Sequence, residues 1–381
     1  MQSMAQAWLV LQMTGSPFWL GFDSFMATAP GLVLTLVGGL FADVISKKRL
    51  LIWTQTSAAI CAVVLALFVL TGTARLWLIL TLSFLSGSCI ALAWPAYHAI
   101  TTDLVQREDL PNAIALNSTQ KQLSRLIGPV LAGFIIKAFG LGGCFLVNAF
   151  SYVAVVGALA LIHYDEPTTA VAHKPPARTA QALWRDLLSG FYYVYGRPRV
   201  WTLLLICAMV SFFGAPYLFM IPLFAQNVYG MGETGVALML GAAAAGALSG
   251  ALLLAFLGDF KGKGLFVLGS VFVFALSLIG FALATQIHHS LVLLFGSGFT
   301  MVTYSATINV LIQRLTDDRT RGRVMGMLVL AFSGPAPLGC LVTGIIAQSL
   351  GAPFALKFNG LIICAFILTS AIRKKFLREL D

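Results

Sequence analysis

The stretch GGLFADVISKKRLL, residues 38–51, joins two long apolar runs through one acid and three consecutive basic residues. Residues 19–41 before it carry Asp23 as their single charge, and residues 50–71 after it carry none. A membrane-spanning helix needs about 20 mostly apolar residues. The stretch therefore reads as a short charged loop between two spans.

The same grammar extends outward in both directions. Further candidate spans cover residues 76–101, 113–139, 144–162, 200–228, 234–257, 265–285, 291–315, 324–350 and 353–372, which with the first two makes eleven. Residues 1–13 are apolar and helical in pattern but cover only about 20 Å. The turn signal Thr14-Gly15-Ser16-Pro17 follows them, so they read as half of a first helix. They lack the basic flank of a cleavable signal peptide.

Composition agrees. Of 381 residues, 59% are hydrophobic and 10% charged, with mean hydropathy +0.90. A soluble domain carries about 25% charged residues, so a soluble enzyme, a disordered chain and a secreted disulfide scaffold are excluded. The six cysteines, at 61, 89, 144, 207, 340 and 364, lie in apolar stretches without a CxxC pair and read as small buried residues.

The net charge of +10 is concentrated in alternate loops. One set holds Lys47, Lys48, Arg49, Arg107, Arg197, Arg199, Lys261, Lys263, Arg314, Arg319, Arg321, Arg323 and the tail; the other holds little beyond Arg75, Lys137 and Lys357. The positive-inside rule places the first set and the C-terminus in the cytoplasm. The one long polar connection, residues 163–199, contains Pro167, Pro175 and Pro176. It then shows helical spacing of Trp184, Leu187, Leu188, Phe191 and Tyr195, as in a helix lying on the membrane surface. It separates an N-terminal bundle (1–162) from a C-terminal bundle (200–372), followed by a basic tail (373–381).

The halves echo each other. AGFIIKAFG (132–140) parallels TGIIAQSLG (343–351), and the charged loops at 103–112 and 314–323 precede them at matching places. More weakly, GDFKGKG (258–264) parallels the loop at 43–49. Repeated bundles around a midplane site are the design of many secondary transporters.

With these features assembled, the loop at 38–51 resembles the signature between helices 2 and 3 of the major facilitator superfamily. Gly39, Ala42, Asp43, Lys47, Lys48 and Leu51 match, while Phe41, Val44 and Ser46 depart. SRLIGPVLAG (124–133) is similar to that superfamily's antiporter motif through Gly128, Pro129 and Gly133. Together with RGRVMG (321–326), PLG (337–339) and AQAWLVLQMTGSPFWLG near the start, the chain resembles the branch holding enterobactin exporters and macrolide efflux proteins. The resemblance implies an all-α membrane protein of two six-helix bundles with the first helix truncated. It implies a conformational-lock role for Gly39, Asp43, Lys47 and Lys48, and an interface-shaping, export-favouring role for Gly128, Pro129 and Gly133.

Charges inside spans carry the functional reading, because the bilayer penalises them. Asp23 is the candidate proton-coupling group, since a carboxyl removed from water holds its proton more readily. Lys121 and Arg125, four apart and so on one helix face, are candidate counter-charges or substrate contacts. Lys137 lies near a span end and can snorkel. Gln2 and Gln6, with Tyr217 and Asn309, complete the candidate cavity set. His288 and His289 read as solvated loop residues. No HExxH, GxxxxGK[ST] or GxSxG occurs, so neither zinc nor nucleotide chemistry is expected, and no cofactor, metal or nucleic-acid partner is assigned. The expectation is a monomeric multi-pass protein of a bacterial inner membrane. It would export a small amphipathic compound of the drug or siderophore class by proton antiport. The alternatives are a lipid or lysophospholipid translocator on the same fold, or a non-transporting truncated fragment.

Overall fold

A computed structural model describes residues 1–106, 108–162, 190–317 and 320–373. Within its helices the side chains at 36, 40, 42–44, 101, 102, 111, 114, 115, 118, 119, 121, 122, 125 and 373 are outside the description. Three expected site residues, Asp43, Lys121 and Arg125, fall in that set. Most of the expected surface helix and all but the first residue of the basic tail also lie outside the described residues.

Every element in the described residues is a helix. The first half holds α1 (Gln2–Thr14), α2 (Pro17–Thr28), α3 (Pro30–Val44), α4 (Lys47–Leu70), α5 (Leu76–Asp103) and α6 (Leu110–Leu161). The second holds α7 (Pro198–Gly214), α8 (Tyr217–Asn227), α9 (Glu233–Leu257), α10 (Lys263–Leu283), α11 (Ile287–Arg314), α12 (Arg321–Ser333), α13 (Pro335–Leu350) and α14 (Ala352–Arg373). Proline marks the interruptions. Pro30 and Pro335 each open the second segment of a broken helix, since proline brings no N–H to continue the previous ladder.

Among the described residues, nine helical stretches are long and apolar enough to cross a membrane. Each of the eleven expected spans nevertheless lies on helix. α2 and α3 are individually short, at 12 and 15 residues. The stretch Leu126–Leu161 contains a reversal. Lys48, at the start of α4, donates to the carbonyls of Ala160 and Ile162 at 3.0 and 2.7 Å. Leu70, at the other end of α4, packs beside Gly142. Residues 141–161 therefore run antiparallel to α4. At the opposite end of its path the chain enters α6 beside α5, where Tyr97 donates to Asn117 at 3.1 Å. Gly140 makes the turn with φ 70° and ψ −179°, a region open essentially to glycine alone.

The two halves meet through α2 against α13 and α6 against α9. At the first crossing, a Cβ on Gly21 would stand 2.6 Å from the Cys340 carbonyl oxygen and 3.1 Å from the Gly344 Cα. Backbone touches backbone there. At the second, Gly133 faces Ala237 and Gly241 faces Val130. Ser16 adds a hydrogen bond across the halves, donating to the Gln348 side-chain oxygen at 2.7 Å. These joints lie at the end away from the basic loops. Nearer mid-depth, Leu32 of α3 approaches Gly334.

Candidate functional site

Proline at the first position of α2 starts a helix without wasting a donor. Asp23 follows about 9 Å along the axis, well inside the apolar depth. It is 7% exposed, and its neighbours Gln6 of α1 and Ser83 of α5 are 6% and 3% exposed. Gln6 Nε2 donates to Asp23 Oδ1 at 2.9 Å and also contacts the Ser83 hydroxyl. Ser83 Oγ is itself within hydrogen-bonding contact of Asp23 Oδ1, and lies 2.9 Å from the carbonyl of Ile79. A hydroxyl has one proton to give, so Ser83 chooses between the carboxylate and its own helix. Among the described residues no ion pair reaches Asp23. Buried ionised carboxyls ordinarily need one or become neutral, so the environment of this acid is tuned by two neutral donors.

Two residues before Asp23 on the same helix stands Gly21, which seals α2 against α13. The buried acid and the joint between the halves thus share one rigid element. Gly21 faces the partner half while Asp23 faces α1 and α5.

A cavity of 610 Å³ lies between the two arms of α6 and the start of α1. Leu116, Leu123, Ile127 and Leu131 give it an apolar wall, and Gln120, Ser124, Asn148 and Ser151 add uncharged polar groups. The hollow is open, with Leu116, Leu123, Ile127 and Leu131 all exposed. Gly128 of the antiporter-type motif lines it. Pro129 sits inside the same helix, while Gly133 lies further on at the joint with α9. Gln2 reaches the cavity through Asn148, accepting a hydrogen bond from its side-chain amide at 2.7 Å.

The other expected residues lie elsewhere. Tyr217 is buried in the second half, edge-on to Phe274 with centroids 6.0 Å apart. Asn309 accepts a hydrogen bond from Gln313, one turn on, at 2.5 Å. Gly39 is on α3 near the basic end. In the lock loop, Lys47 pairs with Asp103 at 2.6 Å, and Lys48 caps the last carbonyls of α6. Both lysines thus engage their own half. Lys137 is exposed near the Gly140 turn, and His288 and His289 are exposed. All six cysteines are free thiols.

Sequence reasoning missed Ser83, one serine among many in apolar spans. It also missed a polar cluster at the basic end of the second half. There Asp259 Oδ1 binds Lys263 at 2.7 Å and Arg314 at 2.6 Å. These two cations hold its carboxyl down at about 2. Asp259 and Lys263 are four apart, as Asp43 and Lys47 are, and Arg314 ends α11 where Asp103 ends α5. The weak loop repeat therefore has a structural counterpart, with the sign of the terminal helix charge inverted. A signal existed in that spacing, but the partner lies 55 residues away.

Comparison with known proteins bears on this arrangement. The family described as "Transmembrane secretion effector" matches residues 1–379. The chain belongs to that family, a branch of the major facilitator superfamily. The transporter is 22% identical to macrolide efflux protein A of Streptococcus pyogenes, covering 99% of this chain and 92% of the relative. It is 26% identical to the staphyloferrin A transporter of Staphylococcus aureus, covering 98% and 92%. To the enterobactin exporter EntS of Escherichia coli it is 24% identical, covering 97% and 87%. In fold it is similar to an inward-facing, occupied bacterial homolog of the human lysosomal transporter Spinster. The TM-score is 0.70 at 15% identity, with 99% of this chain and 95% of that one covered. It is equally similar to the nucleoside transporter NupG, with TM-score 0.70 at 13% identity and coverage of 99% and 98%. The transporter is a multi-pass membrane protein and not an enzyme.

Proposed function

We propose that the transporter exports a small amphipathic compound of the drug or siderophore class across a bacterial inner membrane, in exchange for protons. The basic loops and the C-terminus face the cytoplasm under the positive-inside rule. The halves are then joined at the outer side, and the arrangement is the inward-facing state that receives cargo from the cell. Among its described lining residues the 610 Å³ hollow pairs an apolar wall with uncharged polar groups, which suits an amphipathic molecule. Macrolide and siderophore transporters among the relatives support that class.

The observation that carries the proton role is the Gln6–Asp23–Ser83 network on the helix that also carries Gly21. With Asp23 ionised, Oδ1 accepts from Gln6 and attracts the Ser83 proton. With Asp23 protonated that attraction weakens, and Ser83 turns to the Ile79 carbonyl. Proton binding thereby changes how α2 is held against α1 and α5, and α2 transmits the change to its joint with α13. The two bundles, 1–162 and 200–372, rock against each other about that joint.

Proteoliposomes with an internal pH dye test the reading. Addition of a macrolide, enterobactin or a lipophilic cation should release protons in the wild type. Asp23→Asn should abolish the coupled proton flux while leaving cargo binding within a few-fold. Undiminished coupling in Asp23→Asn removes Asp23 from the mechanism, and absence of cargo-dependent flux with all three probes removes the antiport.

A further inference from the structure

The described chain resumes after the long connection with a helical turn at residues 190–195, and this turn has two different faces. One face is held by the second half. Val194 is fully buried. Tyr193 donates its hydroxyl proton to Asp317 Oδ2 at 3.0 Å, and Arg197 Nη2 donates to the same oxygen at 2.8 Å. Arg197 also reaches the Leu315 carbonyl at 3.3 Å and lies 4.4 Å over the Tyr193 ring. The two donors pull the Asp317 carboxyl below its ordinary range. The turn is thereby fastened to the loop between α11 and α12.

The other face is aromatic and uncovered among the described residues. Phe191, Tyr192 and Tyr195 are 41%, 74% and 66% exposed. Phe191 and Tyr195 stack with centroids 6.3 Å apart, and both meet Trp201 edge-on at 5.4 and 5.7 Å. Trp201 lies in the first turn of α7, at the mouth of a span. Three exposed rings on a tryptophan shelf would be a liability in bulk water. At the depth where a span begins, amphipathic rings are favoured at the headgroup level. Arg199, two residues before Trp201, is exposed at the same end, which matches an anionic surface.

We propose that the Phe191–Tyr192–Tyr195 face, shelved on Trp201, docks on the anionic headgroup layer of the bilayer at the basic end. Through Tyr193 and Arg197 the same turn tethers the α11–α12 loop to that layer. The membrane surface thus becomes a fixed point for the second half at its basic end. This assignment is independent of the cargo and of the coupling ion.

The test uses the full chain in nanodiscs of phosphatidylcholine alone or with 30% phosphatidylglycerol, each with brominated acyl chains in turn. The Trp201 signal is taken as the difference between wild type and Trp201→Phe. It should be quenched at shallow bromine positions, and quenching by brominated phosphatidylglycerol should exceed that by brominated phosphatidylcholine at least two-fold. Arg199→Gln should remove that preference, and Tyr192→Ser with Tyr195→Ser should reduce the quenching. Preserved thermal stability in the variants shows that they fold. Two results overturn the proposal: a Trp201 signal indifferent to every brominated lipid, or quenching that appears only after protease cuts within residues 163–189, which would show that the chain's own connection covers the face.

Discussion

Asp23 shows how a single residue acquires meaning from its neighbours. Its two donors are neutral, one on α1 and one on α5, so the strength with which it is held depends on hydrogen bonds that can be removed one at a time. Leaving a buried acceptor short of a donor costs about 1–3 kcal/mol. Gln6→Leu should therefore destabilise the transporter in detergent by roughly that amount, read as a lowered midpoint of thermal unfolding. Ser83→Ala should leave folding closer to wild type, because Ser83 is shared with a carbonyl already bonded in its helix. It should instead alter the pH dependence of coupled flux, and an unchanged profile would detach Ser83 from the proton site. Asp259 offers a contrasting residue-scale test. Its carboxyl sits at about 2 in the folded protein, below its ordinary 3.8. A depressed acid stabilises above its unfolded value and loses that contribution as pH falls through its folded one. The stability difference between wild type and Asp259→Asn should be constant from pH 8 to 5 and shrink between about pH 4 and pH 2. A difference that vanishes already near neutral pH would mean that the two ion pairs contribute nothing.

At the scale of the element, α2 is the helix on which most depends. It is short, opens on Pro17 and gives way to α3 at Pro30, so it is a helical unit of its own. Its backbone lies directly on that of α13 at Gly21 and Gly344, where a Cβ on Gly21 would clash with the Cys340 carbonyl and one on Gly344 would be crowded. Gly21→Trp should force the two helices apart and open the far end of the molecule. The buried Cys340 at this crossing should then react with a membrane-impermeant thiol reagent many times faster than in wild type. Unchanged reactivity of Cys340 would show that the crossing is not the seal. In α6 the decisive element feature is the Gly140 reversal. A β-branched side chain cannot take its backbone conformation, and Gly140→Val should destabilise by about 1–3 kcal/mol, measured by unfolding in detergent. The repeat at 132–140 and 343–351 ends on a glycine of positive φ in both halves, Gly140 and Gly351, so the sequence echo reflects a shared need to turn the chain after a helix that runs away from the basic loops.

For the molecule as a whole, the joint at the end away from the basic loops is where rocking of the halves can be tested. Ser16 and Gln348 sit on opposite halves and within hydrogen-bonding distance. Cysteines at both positions (Ser16→Cys with Gln348→Cys) should cross-link under mild oxidation and stop transport, and reduction should restore it. Transport that continues at full rate in the cross-linked protein would exclude rocking about this joint. Lys47 and Lys48 hold α4 to α5 and α6 within the first half, as Asp259 does for α9, α10 and α11 in the second. Among the described residues these charged groups thus pair within their own halves.

Composition and periodicity by themselves determined that this chain crosses a membrane many times, and its sequence echoes pointed to two related halves. Uninterrupted apolar runs, and the proline and glycine that interrupt them, act locally and leave their mark on the linear sequence. The same is true of the loop at 38–51 and the motif at 128–133, which carry the family resemblance. The isolated acid at 23 was also legible, because a charge in an apolar run stands out. Only the tertiary structure decided what surrounds it. Gln6 and Ser83 are 17 and 60 residues from Asp23, and nothing in a single helix's spacing selects one serine among many. It likewise separated Tyr217 and Asn309 from that network, and brought Arg314 to Asp259 and Arg197 to Asp317. Long-range pairing between helices depends on which faces pack together. Lipid-facing and protein-facing sides of a span are both apolar, so the sequence pattern alone does not tell them apart.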